Sequence, residues 1–246
     1  MLDDDAAVIK PTWRAPARVR ALTTTRAGGV STGRWQGLNL ALHVGDETTS
    51  VLRNRAILRA RLALPAEPAW LAQTHGTTMI EAGELAVPPE ADASFATAPG
   101  RICAIMTADC LPILACDRAG SIVVAMHAGW RGLLDGIITR SLERFAIPPR
   151  DWLTWIGPGI GVESYVVGAE LRDRFVAADP ATAPCFPRCA GRVHADLRGI
   201  ARHQLRAFGV GAIDAYTGCT AGEPIRFYSY RRDGVTGRIA TLIWLT

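Results

Sequence analysis

The chain has 246 residues, a formal net charge of +4, 49% hydrophobic and 20% charged residues, which is enough for a substantial core and ordinary for a globular enzyme. Nearly all the positive charge is arginine, with Lys10 the only lysine, and no dense basic run appears, which argues against a nucleic-acid partner. No apolar run approaches the ~18 residues of a membrane span, the acidic start Met1-Leu2-Asp3-Asp4-Asp5 lacks the order of an export signal, and the six cysteines form no CxxC pair, so they read as reduced thiols of a cytoplasmic protein.

In chain order, residues 1–16 read as a loosely attached arm broken by Pro11 and Pro16. Val19 to Thr25 is an expected strand, and Arg26-Ala27-Gly28-Gly29-Val30-Ser31-Thr32-Gly33 a glycine-rich turn that lets backbone approach a ligand. A helix is expected from about Thr49 to Leu64, capped by Ser50, with Val51, Ile57, Leu58 and Leu62 on its apolar side. Trp70 to Thr74 reads as a short strand ending at His75. Ile102–Met106, Leu111–Cys116 and Ile122–Met126 are continuous apolar runs, the pattern of strands covered on both faces. Gly132 to Phe145 has helical spacing, and Trp152 to Ile156 is a strand leading into Gly157-Pro158-Gly159-Ile160-Gly161. Helices follow near Ala169–Ala177 and Asp196–Phe208, with Pro180 to Arg192 a loop between them. Gly237 to Leu245 closes the chain as a hydrophobic strand. Strands and helices mix along the whole length without clean βαβ units or a composition break, so a single layered α+β domain with mixed sheets is expected.

The chemistry concentrates in Thr107-Ala108-Asp109-Cys110-Leu111-Pro112 and His127-Ala128-Gly129-Trp130-Arg131-Gly132, with His75 upstream in Gln73-Thr74-His75-Gly76. One thiolate and two imidazoles make a three-ligand zinc site with a coordination position left open for water. Each ligand is expected just after a strand. Other readings stand beside it. Cys110 can be a buried core thiol with unrelated histidines. The same donors with Met106 or Met126 as a weak axial ligand suit copper. Cys110 activated by His127 makes a metal-free nucleophile, to which the adjacent Asp109 need not belong because strand neighbours face opposite ways. Five histidines and no His-x-His pair leave no room for a self-contained trinuclear copper cluster.

These blocks, with Thr24-Thr25-Arg26-Ala27-Gly28-Gly29-Val30-Ser31, Leu38-Asn39-Leu40, His43-Val44-Gly45-Asp46 and Phe227-Tyr228-Ser229-Tyr230-Arg231-Arg232-Asp233-Gly234, resemble the YfiH/YlmD family from nearly end to end. The family was long named polyphenol oxidase or laccase-domain protein, and its members are now described as purine nucleoside phosphorylases with adenosine deaminase activity. The resemblance implies an α/β/β/α layering, related in architecture to deamidase toxins with a Cys–His pair, and zinc on His75, Cys110 and His127. It also implies phosphorolysis of adenosine, inosine, guanosine or methylthioadenosine. Copper-dependent phenol oxidation and action on peptidoglycan precursors have been ascribed to members too. Relatives often carry Cys-Cys-Tyr-Glu-Val where this chain has Glu163-Ser164-Tyr165-Val166-Val167, so the usual Glu is Val166 here, with Glu163 and Glu170 nearby.

For deamination, Asp109 is the nearest carboxylate to serve as acid and base, although a turn carboxylate reads equally well. The zinc nucleobase deaminases' HxE and PCxxC signature is absent. For phosphorolysis, Arg26 and Arg131 are candidate phosphate ligands, with the Gly28 and Gly29 N–H groups as an anion nest and a helix-start ion pair the plainer reading of Arg131. Asn39 is a candidate for a base edge or ribose hydroxyl, or else a turn amide. Ser229 and Arg231 are expected to close the site from the C-terminal end. The expected partners are therefore a small purine nucleoside and phosphate.

Overall fold

The computed structural model describes residues 8–84 and 86–246. Among them, three sheets form. The first has the order β1 (Val8–Ile9), β2 (Val19–Thr24), β13 (Ile239–Leu245), β5 (Ile102–Thr107). The second is β12 (Ala212–Ala215), β8 (Trp152–Ile156), β6 (Leu111–Asp117), β7 (Val123–Ala128), β4 (Ala93–Ala96), β3 (Met79–Glu81). The third and smallest joins β10 (Arg188–Cys189), β11 (Arg192–His194) and β9 (Val166–Val167). β5–β13–β2 and β4–β7–β6–β8 pair antiparallel, whereas β12 with β8 and β3 with β4 pair parallel.

Alternation along the strands explains the layering. On β6 and β7, Ile113, Val124 and Met126 face a helical layer, while Leu114, Val123 and Ala125 face the first sheet. On β5 and β13, Cys103, Ile105 and Ile243 face the second sheet, and Ala104, Met106, Leu242 and Trp244 face the other way. Every one of these side chains is apolar because both faces of both sheets are covered. Helix α1 (Thr48–Arg61) covers the outer face of the first sheet through Leu58. Helices α2 (Trp130–Leu134), α3 (Ile137–Leu142), α4 (Ala169–Ala178) and α5 (Leu197–Phe208) cover the second through residues such as Leu133, Ile138, Phe175 and Leu205. The result is the expected α/β/β/α sandwich, in which each fully buried Leu, Ile or Val contributes about 1.5–3 kcal/mol. No helix among the described residues is long and apolar enough to cross a membrane, and all six cysteines are free thiols.

Several local expectations are corrected. The helix over 132–145 is two short helices, because Gly136 takes φ 83 between them. Trp70 to Thr74 builds no ladder; it makes single bridges from Ala69 to Cys103 and from Ala72 to Glu90 before His75, at φ 63, turns the chain away. The 180–192 loop contains a 3₁₀ turn over Pro180–Cys185 and a strand pair. Ser50 lies inside α1, whose N-cap is Glu47. Asp196 does cap α5, accepting from the Gly199 N–H at 2.9 Å. Of the supposed loose arm, Val8 and Ile9 are paired to Thr24 and Thr23 on the sheet edge, and Trp13 packs on the inter-sheet core; residues 1–7 lie outside the described residues.

Candidate metal centre

His127 continues the row of β7 that faces the other sheet, two residues beyond Ala125. Its imidazole therefore stands at the end of the inter-sheet layer, 3% exposed. Cys110 immediately precedes β6, and in the β6–β7 ladder Leu111 pairs Ala128 and Pro112 pairs His127, so strand pairing brings the thiol and imidazole to one edge. His75 comes from the bend before β3. The ligands thus sit before a strand, within a strand and on a bend, not each just after a strand as the sequence suggested.

The donors converge. Cys110 Sγ is 3.9 Å from His75 Nε2, the two imidazole rings are 4.8 Å apart at 68°, and the three ligand atoms lie within 4.8 Å of one another. Bonds of about 2.3 Å to sulfur and about 2.0 Å to nitrogen set such donors roughly 3.5 Å apart around tetrahedral zinc. One thiolate with two imidazoles fits zinc or copper chemically. Met126 faces the helical core on the opposite side of β7, which removes it as an axial ligand, whereas Met106 borders the cavity.

One residue that sequence reasoning missed organises this cage. Asp92, fully buried just before β4, accepts His127 Nδ1–H at 2.8 Å and leaves Nε2 as the free donor. The same carboxylate accepts the backbone N–H groups of Thr74, His75 and Gly76 at 3.1, 2.9 and 2.7 Å and the Thr74 hydroxyl at 3.0 Å. It therefore orients one ligand and holds the bend that presents another, the role outer carboxylates play at metal sites. Burial alone would push the Asp92 pKa up, but His127, Gly76 and Thr74 hold it below the usual carboxylate range. A lone Asp between Ala91 and Ala93, ahead of a buried strand, was the only signal in the sequence.

Electrostatics in the metal-free cage favour a thiolate facing an imidazolium. Burial pushes the Cys110 thiol up, but His127 and His75 bring it down to about 6. Burial pulls His127 down, but the Cys110 thiolate and Asp92 raise it to about 9. Cys103 is pushed up to about 12 by burial, so thiolate character belongs to the cage.

A cavity of about 420 Å³ opens onto the cage, bordered by Arg131, Arg231, Arg238, Tyr165, His43 and Trp130 among others. Arg131 is exposed and stacks on Trp130, 4.3 Å from the ring centre. Arg231 stacks on Tyr165 at 4.7 Å and donates to the Val166 carbonyl at 2.6 Å. Arg238, which the sequence did not single out, donates Nη1 to the carbonyls of Thr236 and Gly237.

The remaining sequence candidates lie elsewhere or are engaged in structural contacts. Arg26, Gly28 and Gly29 line a different cavity; Arg26 is held by the Gln36 and Pro224 carbonyls, and Arg61 packs against Gly28. Asn39 is fully buried, bonded to Ala41, Asp46 and the Arg238 N–H, which gives it the turn-amide role. Ser229 is fully buried, donating to Asp109 at 3.0 Å and accepting from the Arg232 N–H. Asp109 borders the cavity at φ 93, but its carboxylate accepts from Thr220, Ser229 and the Arg231 N–H at 2.6, 3.0 and 2.7 Å, which makes it a brace for the C-terminal segment. Glu163 and Glu170 lie in a 3₁₀ turn and the first turn of α4, outside the cavity lining.

Comparison with known proteins places the chain among similar ones. A purine nucleoside phosphorylase of Pseudomonas aeruginosa is 47% identical over 239 residues, covering 96% of this chain and 98% of that protein. Purine nucleoside phosphorylase YfiH of Escherichia coli is 44% identical, covering 97% and 98%. Among solved structures, a Neisseria meningitidis protein superposes with a TM-score of 0.93 at 45% identity, covering 97% of this chain and 99% of that one. YfiH of Bacillus licheniformis does so with 0.91 at 28% identity, covering 99% and 98%. Because residues 20–246 match the family described as multi-copper polyphenol oxidoreductase laccase, and full-length relatives carry the YfiH name, the chain belongs to that YfiH-type enzyme family.

Proposed function

We propose that this protein is a zinc-dependent purine nucleoside phosphorylase that also deaminates adenosine. The observation that carries the reading is the shared cavity: the His75–Cys110–His127 donors and the guanidinium groups of Arg131 and Arg231 border one space. The phosphorylase names of relatives at 44–47% identity support it. Zinc held by the three side chains would supply an electrophile and an acidified water.

The chain's own residues account for the rest. Exposed Arg131, its guanidinium lying over the Trp130 ring, offers a fork to a phosphate dianion. Arg231, pinned through Val166, faces the same cavity. Phosphorolysis then consists of a phosphate oxygen bonding to ribose C1′ as the C1′–N9 bond breaks and its electron pair leaves with the purine. Trp130 and Tyr165 border the same cavity, where their rings can meet a planar base.

Metal analysis of the purified protein, with chromatography of adenosine incubations with and without phosphate, tests this. Stoichiometric zinc, phosphate-dependent adenine and phosphate-independent inosine are expected. Protein loaded with zinc that yields neither adenine nor inosine sinks the proposal. One specific geometry favours a second reading. Asp92, His127 and Cys110 lie in the order of a carboxylate–imidazole–thiol relay, which suits a hydrolase acting on an amide such as a peptidoglycan precursor. That reading requires turnover and covalent labelling of Cys110 that chelators leave intact.

A further inference from the structure

Tyr165 follows the 3₁₀ turn Val162–Ser164 and is fixed at both backbone ends. Its N–H donates to the Val162 carbonyl at 3.2 Å, and its carbonyl accepts from the Ala195 N–H at 3.0 Å. The Arg231 guanidinium lies over its ring at 4.7 Å and is itself anchored to the next residue's carbonyl. The ring forms part of the wall of the cage cavity. Among the described residues its hydroxyl meets no hydrogen-bond partner, although the residue is half-buried, its backbone is tied at both ends and the Arg231 guanidinium covers its ring. A rigidly mounted phenol with an unclaimed donor, facing a ligand cavity, is a contact waiting for a ligand atom.

Resting on the phosphorylase reading, we infer that Tyr165 is a catalytic residue whose hydroxyl donates a hydrogen bond to N7 of the departing purine. The choice of the base over phosphate follows from charge. A dianion is served by the forks of Arg131 and Arg231, whereas an uncharged phenol matches a ring-nitrogen lone pair. As the C1′–N9 bond breaks, its electron pair spreads over the imidazole part of the purine, N7 included. A donor at N7 therefore binds the transition state more strongly than the nucleoside, which is the condition for acceleration. No proton need cross: the purine anion takes its proton from water, and the proton of the attacking phosphate returns to water. Burial and the nearby Cys110 thiolate push the Tyr165 hydroxyl up to about 12, so it remains a donor throughout the working range.

The test is Tyr165→Phe in the zinc-loaded protein. Turnover of inosine should fall about 10- to 100-fold, with the KM for phosphate and the zinc content unchanged. Dissociation constants of guanosine and 7-deazaguanosine, measured without phosphate, provide the second readout, because the deaza compound lacks the N7 acceptor. Wild type should prefer guanosine, and the preference should vanish in Y165F. Equal binding of the two by wild type, a preference that survives in Y165F, unchanged turnover, or loss of zinc from the variant each overturns the assignment. Wild-type protein that releases no base from any nucleoside removes the phosphorylase reading itself, a result read before the variant is made.

Discussion

At the scale of single residues, the cage depends on Asp92 as much as on its ligands. Asp92→Asn keeps the size but replaces an acceptor oxygen with a donor against N–H groups and His127. Zinc affinity should fall about 10- to 100-fold in chelator competition, while Cys110→Ser should abolish stoichiometric zinc. The thiols offer a second test in metal-free protein. Cys110 titrates near 6 and Cys103 and Cys116 near 12, and the thiolate is the form above each midpoint. Iodoacetamide should therefore label Cys110 at pH 7 and leave Cys103 and Cys116 unmodified, label Cys110 more slowly as pH drops below 6, and fail to label it once zinc is bound; peptide mass spectrometry reads all three. The candidate ligands His75, Cys110 and His127 were legible from residue type alone, but they are too far apart in the chain for spacing to choose among the readings, and the resemblance made the choice. Asp92 and Arg238 were not, because a buried carboxylate and an arginine at the start of a strand carry no local pattern. Arg26 misled for a related reason: a glycine-rich turn shows that backbone can be approached, not what approaches it, and here it is Arg61.

At the scale of elements, Gly129 and Gly136 bracket α2 and act differently. Gly129 has extended backbone, φ −73 and ψ 173, that any residue adopts. A Cβ there would stand 2.9 Å from Cys110 Sγ and 3.2 Å from His75 Cδ2. Gly129→Ala should therefore empty the metal site while thermal unfolding shifts little. At Gly136 the left-handed backbone is the constraint and space is open up to the Arg140 side chain. Gly136→Ala should cost about 1–2 kcal/mol in urea titration and leave metal content unchanged. The apolar runs announced β5, β6 and β7 because burial on both faces removes polar interruptions. The 132–145 helix was misjudged because its apolar spacing persists across Gly136, and periodicity does not register one residue of reversed handedness.

At the scale of the whole molecule, one of the buried cores is the layer between the sheets, where Leu114, Val123, Trp155 and Ile243 pack. Leu114→Ala should lower stability by about 2–5 kcal/mol in denaturant titration, without altering zinc stoichiometry in the folded fraction. Mixed strands and helices without βαβ units made a layered fold readable, but the strand order β12-β8-β6-β7-β4-β3 was not, since pairing partners far apart in sequence leave no local trace.

The single carboxylate that serves both histidines has an electrostatic consequence. Asp92 and the Cys110 thiolate bring two negative charges to a space otherwise filled by neutral imidazoles once metal is bound. A divalent ion makes that buried unit electroneutral, so the cage itself adds no repulsion against an incoming dianion drawn by Arg131, Arg231 and Arg238. A monovalent ion in the same donors leaves a net negative charge close to the cavity, in surroundings that screen it poorly. Copper(I) loading should therefore weaken phosphate binding relative to zinc, a difference that titration calorimetry with inorganic phosphate would register.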